Sequence, residues 1–530
     1  MAGMDRRSFL GAAAAAAAGA PVRKDGRPDI VVILADDLGY SDVACYGGEI
    51  ETPNIDRLAR YGVRFSQFYS AARCCPTRAA LLTGLYPHQA GVGHMVEDRG
   101  LPGYRGFLNR SSVTLAEVLK TAGYTTLMSG KWHVGERRPH WPCDRGFDRY
   151  FGLISGASSY FRLDPGRTMA IDDRPYTPPE QGFYMTDAIT AHAIEMVRVA
   201  AARPRPFFLY LAYTAPHWPL HALPPEIEKY RGKFLKGWDR LRAERYERMV
   251  AMGLIDRQWS LSPRDPGVPA WDSLSQREKE AWDLRMAVYA AQVDRMDQGI
   301  GRVIREIEKT GRLDNTFVLF LSDNGGCAEE NIGGGMEKKA PNPAPGGPDS
   351  YTSYRRPWAQ LSNTPFRLYK QYVHEGGIAT PAIATWPARI RQPGTVTHEV
   401  GHVIDVMPTV LRISGARYPD ENQGTPTLPP EGVPLTTCVV HGGGLPRNAP
   451  GLFWEHQGHR AFRQGNWKLV ALRGGAWELY NLAEDRTELN DLARRDPKRV
   501  EHMAAEWARW AARCGVVDYD RLPPPVPARD

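Results

Sequence analysis

Residues 29–37 read DIVVILADD: an aspartate, six apolar residues, then two aspartates. A run this apolar, this short and this rich in β-branched residues reads as a strand buried on both faces. Three further runs share its form. TTLMSGKWH (125–133) ends at Lys131 and His133, FFLYLAYTAPH (207–217) at His217, and TFVLFLSDNGG (316–326) at Asp323 and Asn324. Helical patterns such as SSVTLAEVLKTAG (111–123) and YAAQVDRMDQGIGRVIREIEKTG (289–311) stand between them. Alternation of buried strands with helices predicts an α/β chain with a mostly parallel sheet. In an open parallel sheet ligands bind beyond the carboxyl ends of the strands. All four polar clusters fall at that end, so one convergent site is expected there.

Charge and composition narrow the class of function. The chain has 530 residues, 42% of them hydrophobic, and a net charge of +7 without any dense Lys/Arg stripe. That favours a globular chain with mild attraction to anionic substrates over a nucleic-acid binder. The N-terminus, MAGMDRRSFLGAAAAAAAGAP, carries Arg6 and Arg7 ahead of an apolar alanine run, the pattern of a twin-arginine export signal. No other stretch approaches the roughly 20 apolar residues of a membrane span. The expected location is the periplasm or the exterior, in soluble form. Seven scattered cysteines lack metal-type CxxC spacing and are too sparse for a disulfide scaffold.

Taken singly, His217 reads as a loop residue, while Asp36 with Asp37 fits a solvated turn or a ligand pair equally, and DNGG a hairpin turn or a ligand pair. Together, three carboxylates and an amide oxygen form an all-oxygen set. Such a set suits a hard cation, Ca2+ first and Mg2+ second, rather than zinc.

After the strand RFSQFYS (64–70), the chain runs AARCC into PTRAALLTG (76–84). Pro76 suits the first residue of a helix and Gly84 its end. Cys74 then sits at a helix N-terminus, where N–H groups and the dipole favour negative charge. Cys75 fits a buried, packing thiol.

Cys74, Pro76, Thr77, Arg78, Leu82, Thr83 and Gly84 reproduce the signature C-x-P-[ST]-R-x-x-x-L-[TS]-G, and the chain here resembles the sulfatases. Further matching segments follow in order: LADDLGYSD, GKWHVG, TAPHWPLHA, SDNGG and NTPFRLYKQYVHEGGIATP. YPHQAGVGHM, HVIDVMPTVL and the tail FRQGNWKLV…WELYNLAEDRTELNDLA resemble bacterial arylsulfatases. The resemblance implies a formylglycine-dependent type I sulfatase of the alkaline phosphatase superfamily. It implies Cys74 oxidised to Cα-formylglycine by a formylglycine-generating enzyme, and a calcium ion held by Asp36, Asp37, Asp323, Asn324 and the modified Cys74. Arg78 and Lys131 would stabilise the formylglycine, while Lys131, His217 and Lys370 would hold the sulfate. Asp323 would accept the nucleophile's proton, His217 or Lys370 would protonate the leaving alcohol, and His133 would open the sulfated diol. For His88, His94 and His221 a surface or core role is favoured.

The expected organisation is a signal peptide at 1–25, a catalytic domain at 26–415 with an alkaline-phosphatase-like sheet between helices, and a C-terminal subdomain at 416–530. In that subdomain two strands flank Gly-Gly and DPKRVEHMAAEWARWAARC closes as a helix. Residues 225–285, with Trp238, Trp259 and Trp271, read as a solvated helical flank rather than a sugar platform. The loop at 333–358 reads as a shaper of substrate choice. The substrate class is a sulfate ester, either a sulfated glycan or an aryl or alkyl sulfate. Two rivals are a phosphonate monoester or phosphodiester hydrolase of the same superfamily, and an inactive protein that binds sulfated glycans.

Overall fold

A computed structural model describes residues 26–330, 332, 342–445, 447 and 451–526. The twin-arginine segment and residues 333–341 of the 333–358 loop therefore lie outside the described residues. The four apolar runs form strands β1 (Asp29–Ala35), β3 (Thr125–Gly130), β7 (Phe207–Ala212) and β8 (Thr316–Ser322). These lie side by side in the order β8-β1-β7-β3, parallel throughout. They are apolar on both faces because helices cover both faces. Every residue of β1, β7 and β8 is buried, as a doubly covered parallel sheet requires.

Six more strands complete a ten-stranded sheet in the order β10-β2-β9-β8-β1-β7-β3-β4-β5-β6. They are β2 (Gly62–Tyr69), β4 (Arg149–Leu153), β5 (Met169–Ile171), β6 (Arg174–Pro175), β9 (Ala379–Thr385) and β10 (Thr395–His402). β9 runs antiparallel to both β2 and β8, so the sheet is mixed, though mostly parallel. The fold is alkaline-phosphatase-like. No helix among the described residues is long and apolar enough to cross a membrane.

The C-terminal region makes a separate four-stranded antiparallel sheet, Leu452–His456, His459–Gln464, Trp467–Ala471 and Glu478–Asn481, with the helix Pro497–Cys514 against it. A buried ion cluster binds it to the larger unit. Glu375 accepts from Lys468 Nζ at 2.9 Å, Arg486 Nε at 2.9 Å and Tyr69 Oη at 2.8 Å, and Lys468 also pairs with Glu488 at 2.8 Å.

The 225–285 insert departs from a simple solvated flank. Its helices are Pro224–Tyr230 and Gly237–Ala251; Trp238 on the second of them, Trp259 in the loop that follows and Trp271 in a short 3-10 turn are all buried. Trp238 packs edge-on to Trp271, Trp282 and Trp358, with centroids 4.7–5.5 Å apart. These rings are core, and none presents a face to a sugar.

Candidate active site

The helix Cys74–Thr83 begins where β2 has delivered the chain to the carboxyl end of the sheet. Arg73 is its N-cap and Gly84, at φ 72°, its C-cap. Glycine suits that left-handed terminus. Pro76 stands at the third position, where its missing N–H costs no hydrogen bond. The helix carries Cys74 and Arg78 one turn apart, both buried.

Around that helix the predicted residues converge. Arg78 donates through Nε at 3.2 Å and Nη2 at 2.8 Å to Asp323 Oδ2, and through Nη1 at 2.8 Å to the Lys131 carbonyl. Lys131 Nζ donates to Asp36 Oδ2 at 2.7 Å, and Lys370 Nζ to Asp37 Oδ2 at 2.8 Å. Asp323 Oδ1 accepts from the Asp37 amide at 3.1 Å, and Asn324 Nδ2 donates to Asp37 Oδ1 at 2.8 Å. Asp37 takes a positive φ of 66°, and so does His133 at 56°. Such non-glycine conformations are uncommon and cluster at functional sites. His133 Nδ1 lies 3.4 Å from Cys74 Sγ. Gly156 closes on the other side of that ring, since a Cβ there would stand 2.4 Å from His133 Nε2.

Burial sets the charge states. It pushes the Asp36 and Asp323 carboxyls up. Asp37 is equally buried, yet the Lys370 ammonium holds it low. The hydrogen bond from Cys75, followed by the Lys131 and His133 charges, pulls the Cys74 thiol well below the ordinary range, while burial raises Cys75. Burial lowers His217 to about 3. Its Nδ1 is 2.6 Å from the Trp218 carbonyl and so carries the proton, which leaves Nε2 as an acceptor 3.4 Å from Lys370 Nζ.

The site fits a hard cation. Asp36 Oδ1 and Asn324 Oδ1 are buried and accept no hydrogen bond among the described residues, a costly state unless something else binds them. Donor atoms of Asp36, Asp37 and His217 lie within 4.8 Å of one another. Above this floor a cleft of about 970 Å³ opens, lined by Cys74, His133, His217 and Lys370.

Sequence reasoning missed other cleft residues, namely Arg73, Glu136, Gly156, Trp218 and Glu329. Trp218 had a signal in its place directly after His217, whereas Gly156 and Glu329 belong to no motif. His88, His94 and His221 are buried outside the cleft. His88 pairs with Glu455 at 2.8 Å, and His221 Nε2 is 2.7 Å from the Ser350 carbonyl. All seven cysteines are free thiols.

Residues 28–416 match the family model described as Sulfatase. The chain belongs to the sulfatase family. An uncharacterised sulfatase of Schizosaccharomyces pombe is 38% identical over 528 residues, covering 93% of this chain and 94% of that protein. The arylsulfatase of Klebsiella aerogenes is 33% identical, covering 79% of this chain and 94% of its own length. Among solved structures, Ps i-CgsB in complex with k-i-k-neocarrahexaose superposes with a TM-score of 0.67 at 25% identity, covering 92% of this chain and 93% of that one. Relatives named arylsulfatase and N-acetylgalactosamine-6-sulfatase place this sulfatase among the sulfuric ester hydrolases.

Proposed function

We propose that the protein hydrolyses sulfate monoesters to an alcohol and inorganic sulfate, with Cys74 converted to formylglycine and its hydrate as the nucleophile. The observation that carries this reading is the surroundings of Cys74. It stands at a helix N-terminus, 3.4 Å from His133 Nδ1, above a floor where Arg78, Lys131 and Lys370 meet Asp36, Asp37 and Asp323.

One hydroxyl of the hydrate attacks sulfur and gives its proton to Asp323. The sulfur–oxygen bond to the leaving group breaks, and the alcohol takes a proton. Lys370 is the donor in this reading, because the tautomer of His217 leaves its Nε2 without a proton to give. Lys131, His217 and Lys370 hold the sulfate oxygens, and Arg78 with Lys131 supports the attacking alkoxide. His133 then removes the proton of the second hydroxyl, sulfate departs from the covalent sulfo-enzyme, and the aldehyde returns. Asp36, Asp37, Asp323, Asn324 and residue 74 would hold Ca2+, or Mg2+, which when bound lowers the nucleophile's pKa and offsets negative charge.

The working unit of this proposal is residues 26–415, with 416–530 as a supporting subdomain. Residues 1–25 serve twin-arginine export to the periplasm or beyond, after a formylglycine-generating enzyme has acted on Cys74 in the cytoplasm. The substrate class is a sulfated glycan. A neighbour bound to a neocarrahexaose and relatives named for N-acetylgalactosamine 6-sulfate support it, as does a cleft of about 970 Å³, larger than an aryl sulfate fills. The test is a substrate panel of sulfated oligosaccharides, 4-nitrophenyl sulfate and phenylphosphonate monoesters with the mature, calcium-loaded protein. Faster turnover of the sulfates is expected; a preference for the phosphonates would overturn the assignment.

A further inference from the structure

Glu329 follows β8 and belongs to none of the motifs, yet it is tied into the cleft from several directions. Its Oε1 pairs with Arg73 Nη1 at 2.9 Å and accepts from Gln371 Nε2 at 2.8 Å. Its Oε2 accepts from Trp218 Nε1 at 2.9 Å and lies 3.8 Å from Lys370 Nζ. The side chain lines the cleft and is 22% exposed. Burial opposes its ionisation, but Lys370 and Arg73 hold the carboxyl well below the usual carboxylate range, so it is charged at any working pH.

An ionised carboxylate in an anion-binding cleft works against the ligand. Bridging Arg73, Trp218 and Gln371 would need hydrogen-bonding oxygens but no charge. The reaction supplies a reason for the charge. A sulfate monoester carries one negative charge, whereas the product sulfate and a phosphate monoester carry two. Lys131, His217 and Lys370 would hold all three alike, and a fixed negative charge beside Lys370 penalises each unit of ligand charge, so a dianion is penalised twice as much as a monoanion.

We infer that Glu329 is a specificity-determining residue that biases the cleft toward singly charged esters and against doubly charged anions, the sulfate product included. This rests on the sulfatase mechanism proposed above. At an effective dielectric near 20, a carboxylate about 6 Å away weakens binding of each added negative charge by roughly a hundredfold; partial solvent access and salt bring this to about tenfold.

The test compares inhibition of 4-nitrophenyl sulfate turnover by inorganic sulfate, a dianion, and sulfamate, a monoanion of nearly the same shape, at fixed ionic strength. In Glu329→Gln the ratio Ki(sulfamate)/Ki(sulfate) should rise about tenfold over the wild type. Glu329→Ala should shift it the same way, which guards against poor folding of one variant, and Glu329→Asp should leave the ratio within about twofold of wild type. A ratio constant across all three variants, with both inhibitors weakened together, would show a purely structural role and overturn the inference. Absence of sulfate-ester turnover in the mature wild type would instead refute the mechanism beneath it.

Discussion

Replacing Gly156 with alanine adds one methyl group at the point where the structure has no room for it. The new Cβ would stand 2.4 Å from His133 Nε2 and 2.6 Å from its Cε1, about 1 Å inside ordinary van der Waals contact. The backbone at 156 is not in the left-handed region, since Gly156 is absent from the positive-φ glycines. The strain therefore falls on the His133 ring, which is displaced from its place 3.4 Å from Cys74 Sγ. A displacement of about 1 Å in a reacting group costs on the order of a hundredfold in rate, close to 2.7 kcal/mol. Because His133 is assigned to the second half-reaction, the loss should be selective. Rapid mixing with 4-nitrophenyl sulfate should show a first turnover of nitrophenol near the wild-type rate, followed by a steady state lowered about a hundredfold. Intact mass should show sulfate retained on the enzyme. Equal slowing of burst and steady state, or a steady state within about twofold of wild type, would refute the placement of His133 as that base.

Three other perturbations follow from the geometry. Lys370→Met should lower kcat/KM for an alkyl or sugar sulfate by about 10²–10⁴, and appreciably less for 4-nitrophenyl sulfate, whose leaving group needs no proton; equal losses on both would return the acid's role to His217. Glu375 should make stability acid-sensitive. Burial disfavours its charge, but Lys468, Arg486 and Arg463 hold its carboxyl at about 2, below its ordinary 4.5. Its contribution is therefore complete above pH 4.5 and lost as pH falls toward 2. Urea unfolding in that window should show this slope and lose much of it in Glu375→Gln, which should also cost about 3–5 kcal/mol at neutral pH. Removing divalent cations with a chelator should abolish turnover and lower the melting temperature, and calcium should restore both, as the orphaned oxygens of Asp36 and Asn324 imply.

The centre of the fold was legible because its chemistry is local. β1, β3, β7 and β8 are apolar on both faces, and each hands its polar residues directly to the loop beyond, so pattern and site could be read together. β9 was not legible. ATPAIAT contains Pro381, and proline inside a central strand argues against strand assignment. It is accommodated here where the β2–β9 register shifts. The short edge strands β5 and β6 carry too few residues for any period to show. In the site, the motif residues could be named from sequence, whereas Gly156 and Glu329 acquire meaning from tertiary contact alone. Gly156, in the loop after β4, meets a ring from the loop after β3. Glu329 meets groups from three other segments. The tryptophans of the 225–285 insert erred in the same way. Their charged surroundings in the sequence gave no hint that Trp238 and Trp271 would meet Trp358 across the chain.

The central claim is the identity of the nucleophile, and it can be read directly from the mass of the tryptic peptide that begins at Cys74. Protein from its own host, digested with and without an aldehyde-trapping hydrazine, should yield a peptide whose residue 74 has exchanged its thiol for an aldehyde and forms the hydrazone. An unmodified thiol at Cys74 in catalytically active protein would contradict the account.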